Sequence, residues 1–311
     1  MSQDRAPFLS VVIPTRHRND LLALCLECLA PNKQMLDHTL YEVIVTDDGS
    51  HSTAREMIEK QYSWAKWVEG PKCGPAANRN NGAKFSRSEW LAFVDDDCLP
   101  SNHWLKAIWT NAFAEAVDVI EGKTVTPDKV DSPFRQGVEN LTGGYYWSCN
   151  LAVRREVFFE IGAFDEDFPE AAGEDMEFSF RIRKNNLRVR FNENALVLHP
   201  TRSVDWKQLL YRTFFLIRWI PLYRIKVGDA PPIGASRLKI VVHLFRTEVA
   251  GLLRSTFHLV SKPDFEMWRT RLFFQVWNWL SFPIVFSYLL KWELRLRKQM
   301  LQDRKLSLRT L

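Results

Sequence analysis

Short apolar runs alternate with amphipathic stretches along the first hundred residues of the chain. Residues 9–14 (LSVVIP) and 89–94 (EWLAFV) are rich in β-branched and aromatic side chains, as buried strands are. Residues 19–30 space their apolar positions at helical intervals, with Asn19 or Asp20 expected as the N-cap. This alternation predicts an α/β fold built on a parallel sheet. A further strand is expected at 41–50, running into a polar turn, and another near 66–68. Further helices are expected at 52–62 and 74–85.

Acidic residues follow two of these apolar runs, where each strand is expected to end. Asp47 and Asp48 follow VIVT, and Asp95, Asp96 and Asp97 follow WLAFV. In open α/β sheets, ligands bind in the crevice at the carboxyl ends of the strands. Adjacent carboxylates repel one another unless a positive group lies between them. The two clusters therefore favour a bound cation or nucleotide at this edge of the sheet over a solvated turn.

The chain has an acidic front and a basic rear. Residues 205–311 carry 19 Lys and Arg against 7 Asp and Glu, whereas residues 1–204 carry 23 against 30. The rear also holds six of the 12 Trp residues. A basic, Trp-rich segment is typical of a surface that binds a membrane or nucleic acid, and it contains no nucleic-acid-binding motif. We expect a catalytic domain in 1–204, a membrane-associating helical region in 205–311, and no nucleic-acid partner.

Three helices are expected in the rear, at 206–220, 236–260 and 266–299. Within the last, Leu272 to Leu290 comprises 19 residues without a charge, long enough to span a bilayer. Its polar residues and Pro283 make it a poor span, and cations at both ends give no inside–outside bias. A helix or hairpin at the membrane interface, a spanning helix and a helix buried in protein all remain open, as does an oligomerisation surface.

The five cysteines are odd in number and irregularly spaced, and no signal peptide precedes them. This pattern predicts a reducing, cytoplasmic compartment. Cys25 and Cys28 form a C-x-x-C inside a predicted helix, with no second pair to complete a zinc or redox site.

The turn after the first strand lacks a glycine-rich phosphate-binding loop. It reads PTRHRND over residues 14–20, without a G-x-G-x-x-G or P-loop signature. A divalent cation held by carboxylates is another way to bind a diphosphate. Mg²⁺ and Mn²⁺ suit oxygen ligands combined with substrate phosphates.

Seven short motifs occur in order across residues 11–200. They are 11-VVIPTRHR-18, 43-VIVTDDGS-50, 74-GPAANRNNGA-83, 91-LAFVDDDCLP-100, 149-CNLAVRREVFFEIGAFDE-166, 173-GEDMEFSFRIR-183 and 197-VLHP-200. Together they resemble the family 2 glycosyltransferases of the GT-A fold, over about two thirds of the chain. The resemblance implies a mixed, mostly parallel sheet flanked by helices, and an inverting transfer from a nucleotide sugar.

The resemblance also implies a donor-binding role for residues at several strand ends. Pro14, Thr15 and Arg16 would line the base and ribose of the nucleotide. Asp48 would accept a hydrogen bond from the base, and Arg79 would lie near the base or the diphosphate. A UDP-sugar is the first expectation for the donor.

The residues 95–97 match the family's DxD motif. The match implies that Asp95 lies near the ribose or the metal, that Asp96 belongs to the donor site, and that Asp97 binds Mn²⁺ or Mg²⁺. His199 matches a further metal ligand of many relatives, although a lone histidine on an apolar strand is often a core residue. The cation would neutralise the charge that develops on the nucleoside diphosphate leaving group.

The match of Asp175 implies a general base that takes the proton from the acceptor hydroxyl. Glu174 beside it would bind the acceptor, although two acids also suit the first turn of a helix. Trp147 and Asn150 lie on the segment that resembles the acceptor-facing part of the family. Trp147 could stack on a sugar or pack in the core.

These features predict an inverting, metal-dependent glycosyltransferase acting in cell-surface polysaccharide or glycoconjugate biosynthesis. It would move one sugar to a lipid-linked or saccharide acceptor at the cytoplasmic face of the membrane. Processive relatives carry Q-x-x-R-W; here Phe215 stands where the Gln of that motif would precede Arg218 and Trp219. Two alternatives are a nucleotidyltransferase, which would normally need a glycine-rich loop, and an inactive membrane scaffold, against which the intact acids argue.

Overall fold

The computed structural model describes residues 6–114, 116–128, 130, 134–168, 170–171, 173–261 and 268–307, with the side chains of 209–219 and of parts of the last two helices left out. The chain divides into two compact units. One comprises residues 1–129 and 137–201, and the other comprises 130–136 and 202–311.

The first unit is built on one mixed sheet, which has eight strands within the described residues and the order β3-β2-β1-β4-β8-β6-β9-β5. Strands β3, β2, β1 and β4 are mutually parallel, and β6 is parallel to β9. Strands β8 and β5 run antiparallel to their neighbours. The strands are β1 Leu9–Thr15, β2 Tyr41–Asp47, β3 Ala65–Glu69, β4 Trp90–Phe93, β5 Leu99–Pro100, β6 Val119–Val125, β8 Leu151–Arg154 and β9 Val189–Leu198.

Helices cover both faces of this sheet. Alternation along β1 sends Val11 and Ile13 into one core and Val12 into the other, because successive side chains of a strand point to opposite faces. The first core includes Leu22 and Leu26 of α1, and the second includes Phe178 of α6. The helices are α1 Asn19–Leu29, α2 Arg55–Gln61, α3 Pro75–Phe85, α4 Trp104–Ala114, α5 Arg155–Glu160 and α6 Glu174–Lys184, with single 3₁₀ turns at His38–Leu40 and Ser148–Asn150.

The second unit is mainly helical. A two-stranded ribbon pairs β7 Arg135–Gln136 with β10 Arg202–Ser203, and the helices are α7 Trp206–Val227, α8 Arg237–Ser261 and α9 Trp268–Ser307. Helix α7 begins at a capping box in which Asp205 and Gln208 exchange side-chain hydrogen bonds. In the described part of the chain, no helix combines the length and the apolar character needed to cross a membrane.

Two predicted element boundaries need correction. Helix α1 begins at Asn19, but its N-cap is Arg18 and no side chain caps it, so neither Asn19 nor Asp20 has the expected role. Helix α7 continues to Val227 through Pro221, seven residues beyond the predicted end.

Candidate active site

The two predicted acidic clusters lie at the same edge of the sheet. Strands β2 and β4 flank β1 in parallel, so their carboxyl ends meet. The Asp48 backbone N–H donates to the Thr15 carbonyl (2.9 Å), which fixes the loop after β2 beside the end of β1. Asp48 is buried, and Asp96 is fully buried. The parallel topology alone therefore brings residues 15, 48 and 95–97 together.

Arg18 is the cation that lies between the carboxylates of the DDD segment. Its Nη2 lies 2.5 Å from Asp96 Oδ1 and its Nη1 lies 3.1 Å from Asp97 Oδ2. The Thr15 hydroxyl also donates to Asp96 (2.7 Å). Burial raises the pKa of Asp96 to about 7, although Arg18 and the Thr15 hydrogen bond lower it. Asp96 thus organises the turn after β1 from within the protein.

Arg79 of α3 joins the DDD segment to helix α6. Its Nη2 lies 2.7 Å from Asp95 Oδ1, and its Nη1 lies 3.2 Å from Glu174 Oε1. Arg79 is only 4% exposed. Although burial favours the neutral forms, the guanidinium lowers the pKa of Asp95, and the surrounding carboxylates raise the pKa of Arg79. The side chain is a buried, charged tie between two elements that are distant in sequence.

Helix α6 begins inside this site. Gly173 has a φ of 93°, in the left-handed region that favours glycine, and Glu174 and Asp175 form the first turn of the helix. Burial raises the pKa of Glu174 to about 8, and the neighbouring Asp175 adds to the rise. Burial also raises the pKa of Asp175, against the charge of Arg79. Asp175 Oδ1 and Glu174 Oε2 are buried without a hydrogen-bond partner among the described residues.

A possible metal-binding group lies beside the DDD segment. Asp97, Cys98 and His199 each offer a ligand atom, and these atoms lie within 4.8 Å of one another. His199 Nε2 is 3.8 Å from Asp97 Oδ1, and His199 Nδ1 is 3.2 Å from the Pro200 carbonyl. Because a carbonyl only accepts, Nδ1 carries the proton in this contact, and the Nε2 lone pair of a neutral ring faces Asp97.

The carboxylate and imidazole of this group fit Mn²⁺ well and Mg²⁺ through the carboxylate alone. Cys98 fits neither, because its contact with Cys149 and its burial raise the pKa of its thiol well above the ordinary value. Two protein ligands leave positions for the phosphate oxygens of a substrate.

Two acids with different roles lie where β2 ends: Asp47 is its last residue, and Asp48 follows it. Asp47 accepts hydrogen bonds from the Gly49 and Ala54 backbone and from Trp67 Nε1, so its side chain shapes the loop. Asp48 accepts from the Lys72 backbone N–H (2.9 Å). Burial raises the pKa of Asp48, while hydrogen bonds and the charge of Arg16 lower it. Asp48 is the acid at the site edge.

The predicted acceptor segment carries one partly buried residue, Trp147, and one buried residue, Asn150. Trp147 is partly buried and packs on Tyr145, with ring centroids 4.6 Å apart. Asn150 is buried. Its side-chain oxygen accepts a hydrogen bond from Trp104 Nε1, and its Nδ2 donates to the Lys123 and Ala195 carbonyls. This engagement favours a structural role for Asn150, and its contact with an acceptor stays a prediction.

The structure gathers the predicted donor residues at one edge, with differing exposure. Pro14 is buried within β1, and Arg16 is exposed on the following turn. The contacts above form two sets that the backbone of residues 95–97 joins: Asp95 with Arg79 and Glu174, and Asp96 and Asp97 with Arg18 and His199. Arg181 and Arg183 do not join it; they bind Glu177 and the Gly144 carbonyl.

Sequence reasoning gave no role to Arg18 or Glu121. Glu121 is buried and accepts hydrogen bonds from Asn140 Nδ2 and from three backbone N–H groups at residues 144–146. It thereby shapes the loop that carries Tyr145 and Trp147. The signal for Glu121 was an acid within the apolar run VIEGK, and the signal for Arg18 was a cation just after a strand end.

Residues 10–164 match the family model described as "Glycosyl transferase family 2". Glycosyltransferase AglE of Haloferax volcanii is 28% identical over 67% of this chain and 71% of its own length. Chondroitin synthase of Escherichia coli is 26% identical over 61% of this chain, but the match spans only 34% of that longer protein. The GalNAc(5)-diNAcBac-PP-undecaprenol beta-1,3-glucosyltransferase of Campylobacter jejuni is 24% identical over 84% of this chain and 78% of its length.

Solved structures share the fold. TarS 1–349 of S. aureus in complex with UDP superposes with a TM-score of 0.52 at 22% identity, over 70% of this chain and 65% of that one. The mannosyltransferase PcManGT of Pyrobaculum calidifontis, in complex with GDP-Man and Mn²⁺, gives a TM-score of 0.57 at 16% identity, over 89% of this chain and 87% of that one. With the family match and the sheet-edge site described above, the chain belongs to glycosyltransferase family 2 and is a glycosyltransferase of GT-A-like fold.

Proposed function

We propose that this chain transfers a single sugar from a nucleotide-sugar donor to a saccharide or lipid-linked acceptor, with inversion at the anomeric carbon and with the help of Mn²⁺ or Mg²⁺. The observation that carries the proposal is the tie through Arg79, which holds Asp95 of the DDD segment and the Glu174-Asp175 turn in one site. The DDD segment suits a donor diphosphate, and the Glu174-Asp175 turn suits the acceptor hydroxyl.

The donor half uses residues at the ends of β1, β2 and β4. Pro14, Thr15, Arg16 and Asp48 would bind the base and ribose, and Arg79 and Asp95 would lie near the ribose and diphosphate. Asp96 holds the turn in place through Thr15 and Arg18. The TarS and PcManGT structures are complexes with UDP and with GDP-Man, which supports a nucleotide donor; a UDP-sugar is the first one to test.

Asp97 and His199 would hold the divalent cation, with Asp95 as a further candidate. When bound, the cation supplies positive charge to the diphosphate as it leaves. The Mn²⁺ in the PcManGT complex supports this assignment. The His199 tautomer, with Nδ1 bound to the Pro200 carbonyl, supports it independently because Nε2 is turned to Asp97.

Asp175 would act as the general base. It would take the proton of the acceptor hydroxyl as that oxygen bonds to the anomeric carbon, and the bond to the nucleoside diphosphate would break with its electron pair going to the diphosphate. A raised pKa makes Asp175 a stronger base, and such proton transfer typically contributes about 10²–10⁴-fold. One displacement with one base gives inversion. Glu174, Trp147 and Asn150 would bind or orient the acceptor.

The second unit would associate with the inner face of the cell membrane. The excess of cations and Trp in residues 205–311 supports this role, as does a lipid-linked substrate in the name of the Campylobacter relative. Residues 1–204 would then form the catalytic domain. This arrangement suits cell-surface polysaccharide or glycoconjugate synthesis from cytoplasmic donors.

The test combines donor binding with donor turnover by the full chain. A panel of UDP- and GDP-sugars is titrated with and without Mn²⁺ or Mg²⁺, and nucleoside diphosphate release is measured with saccharide acceptors and a membrane lipid extract. Asp97→Asn should lose metal-dependent binding. Asp175→Asn should keep donor binding and lose turnover by at least about 100-fold. The matched control is Asp37→Asn. Asp37 is an exposed acid that precedes the first residue of β2, at the end of the strand away from the site.

Nucleotide binding that needs neither metal nor Asp97 would overturn the metal site. Full turnover in Asp175→Asn would overturn the assignment of the base. Metal-dependent binding without turnover on any acceptor fraction would favour the inactive scaffold instead.

A further inference from the structure

We infer that a groove between α7 and α8 of the second unit is the docking site for an anionic lipid surface. This inference rests on the membrane association proposed above and names the surface that performs it. The groove has a volume of about 810 Å³. It is lined by Arg224, Asp229, Leu238, Lys239, Val242, His243, Arg246, Thr247, Ala250 and Arg254.

The charge of the groove is strongly positive. Among its described lining residues, four are Lys or Arg, one is His243, and Asp229 is the acid. Arg224 has a carboxylate partner in Glu248, at 2.8 Å. His243 Nε2 is buried without a hydrogen-bond partner among the described residues. The groove therefore offers several cationic groups and one unsatisfied ring nitrogen, a combination that suits phosphate oxygens.

An apolar stripe lies beside these cations on α8. Leu238, Val242 and Phe245 follow one another at spacings of four and three residues, so they share one face of the helix. Their exposed fractions are 72%, 46% and 52%. Leu253 and Phe257, further along α8, are also exposed. Lys239, Arg246 and Arg254 lie on the adjoining face, since they are spaced by seven and eight residues.

The combination of cations and exposed apolar side chains favours a lipid surface over a soluble phosphate or a nucleic acid as the partner. A soluble phosphate would give no reason for exposed Leu238 and Val242 in the lining. A nucleic acid would require large stacking side chains, and none of the described lining residues is Phe, Tyr or Trp. A helix with an apolar face and a neighbouring cationic face is the arrangement that lies in the headgroup region of a bilayer. Lipid phosphates would reach the groove while the stripe enters the acyl boundary.

The test is sedimentation of the full chain with phosphatidylcholine vesicles, with and without phosphatidylglycerol. We expect binding to the anionic vesicles that weakens as salt rises. The triple variant Lys239→Gln, Arg246→Gln and Arg254→Gln should bind about 100-fold more weakly, at roughly fivefold per cation. Leu238→Ser with Val242→Ser should also weaken binding while leaving salt dependence in place.

The charge-matched control is Lys291→Gln, Arg295→Gln and Lys298→Gln, three exposed cations of α9 outside the groove. An equal loss in this control would overturn the assignment, as would equal binding to neutral vesicles. Binding of inorganic diphosphate without vesicle binding would show a free-anion site and would overturn it too. Metal-dependent donor binding, measured on the same preparations, reports separately on the proposed enzymatic function and on folding.

Discussion

Arg79 Nη2 lies 2.7 Å from Asp95 Oδ1, with the guanidinium almost entirely buried. The same guanidinium lies 3.2 Å from Glu174, 95 residues further along the chain. A charge in this position holds the DDD segment and the start of α6 in one geometry. A substitution of Arg79 that keeps the positive charge but changes the geometry of the side chain can test this role.

Arg79→Lys keeps the charge but cannot reach both carboxylates in a fork, since a lysine ends in a single ammonium. We expect turnover to fall by about 100-fold or more. Leaving the Asp95 or Glu174 carboxyl group without its hydrogen-bond partner should also lower the free energy of unfolding by about 2 kcal/mol. Turnover assays and urea unfolding measure the two effects. Arg55→Lys, in an exposed pair with Glu59, is the control, and equal effects in both variants would contradict the tie.

Arg18 competes with a cation for Asp97, because its Nη1 lies 3.1 Å from Asp97 Oδ2. Arg18→Gln should therefore tighten Mn²⁺ binding by the nucleotide-free protein, by about fivefold, the scale of a partly exposed ion pair. Electron paramagnetic resonance of free Mn²⁺ measures the affinity. Arg16→Gln removes an exposed cation of the same turn and should have a smaller effect. Weaker Mn²⁺ binding in Arg18→Gln would mean that Arg18 organises the site instead.

His199 should decide which metal is preferred. Its Nε2 faces Asp97, and imidazole is a better ligand for Mn²⁺ than for Mg²⁺. His199→Gln should thus weaken Mn²⁺-dependent donor binding at least about tenfold and change Mg²⁺-dependent binding less. Parallel titrations with the two metals give the ratio, and exposed His103→Gln serves as the control. An unchanged ratio of the two affinities would mean that His199 is a structural core residue and not a metal ligand.

Glu174 should make stability depend on pH. Its pKa rises from the ordinary value of 4.5 to about 8 on folding, because burial and Asp175 disfavour the charged form. The folded state therefore holds this proton where the unfolded state has released it. Stabilisation is full below pH 4.5 and is lost as pH rises to about 8, at no more than roughly 1.4 kcal/mol per pH unit.

Glu174→Gln removes this titration, so its free energy of unfolding should fall less than that of the parent between pH 5.5 and 7.5. Urea unfolding at the two pH values measures the difference. Asp96, whose pKa is raised to about 7, titrates in the same direction and is retained in both proteins. Parallel pH dependences of the two proteins would show that Glu174 is charged throughout.

The sequence alone determined the parallel half of the sheet and its acidic edge. The stretches 11–14, 43–45 and 90–94 are apolar throughout, as the buried parts of strands covered on both faces are, and they lie in or directly after β1, β2 and β4. Because parallel strands end at one edge, Asp48 and Asp95–Asp97 had to lie near one another. Their match to ordered motifs then indicated the family.

The tertiary structure decided which partner each charge has. Arg18 and Asp96 are 78 residues apart, and Arg79 and Glu174 are 95 residues apart, so no local pattern could pair them. Local patterns also could not show that the Asn150 amide forms hydrogen bonds with three other segments of the chain. Nor could they show that the Glu121 carboxylate accepts hydrogen bonds from a distant loop. Local periodicity records which side of an element is buried. The side chains that meet across the site depend on how the elements pack, and only the folded chain specifies that.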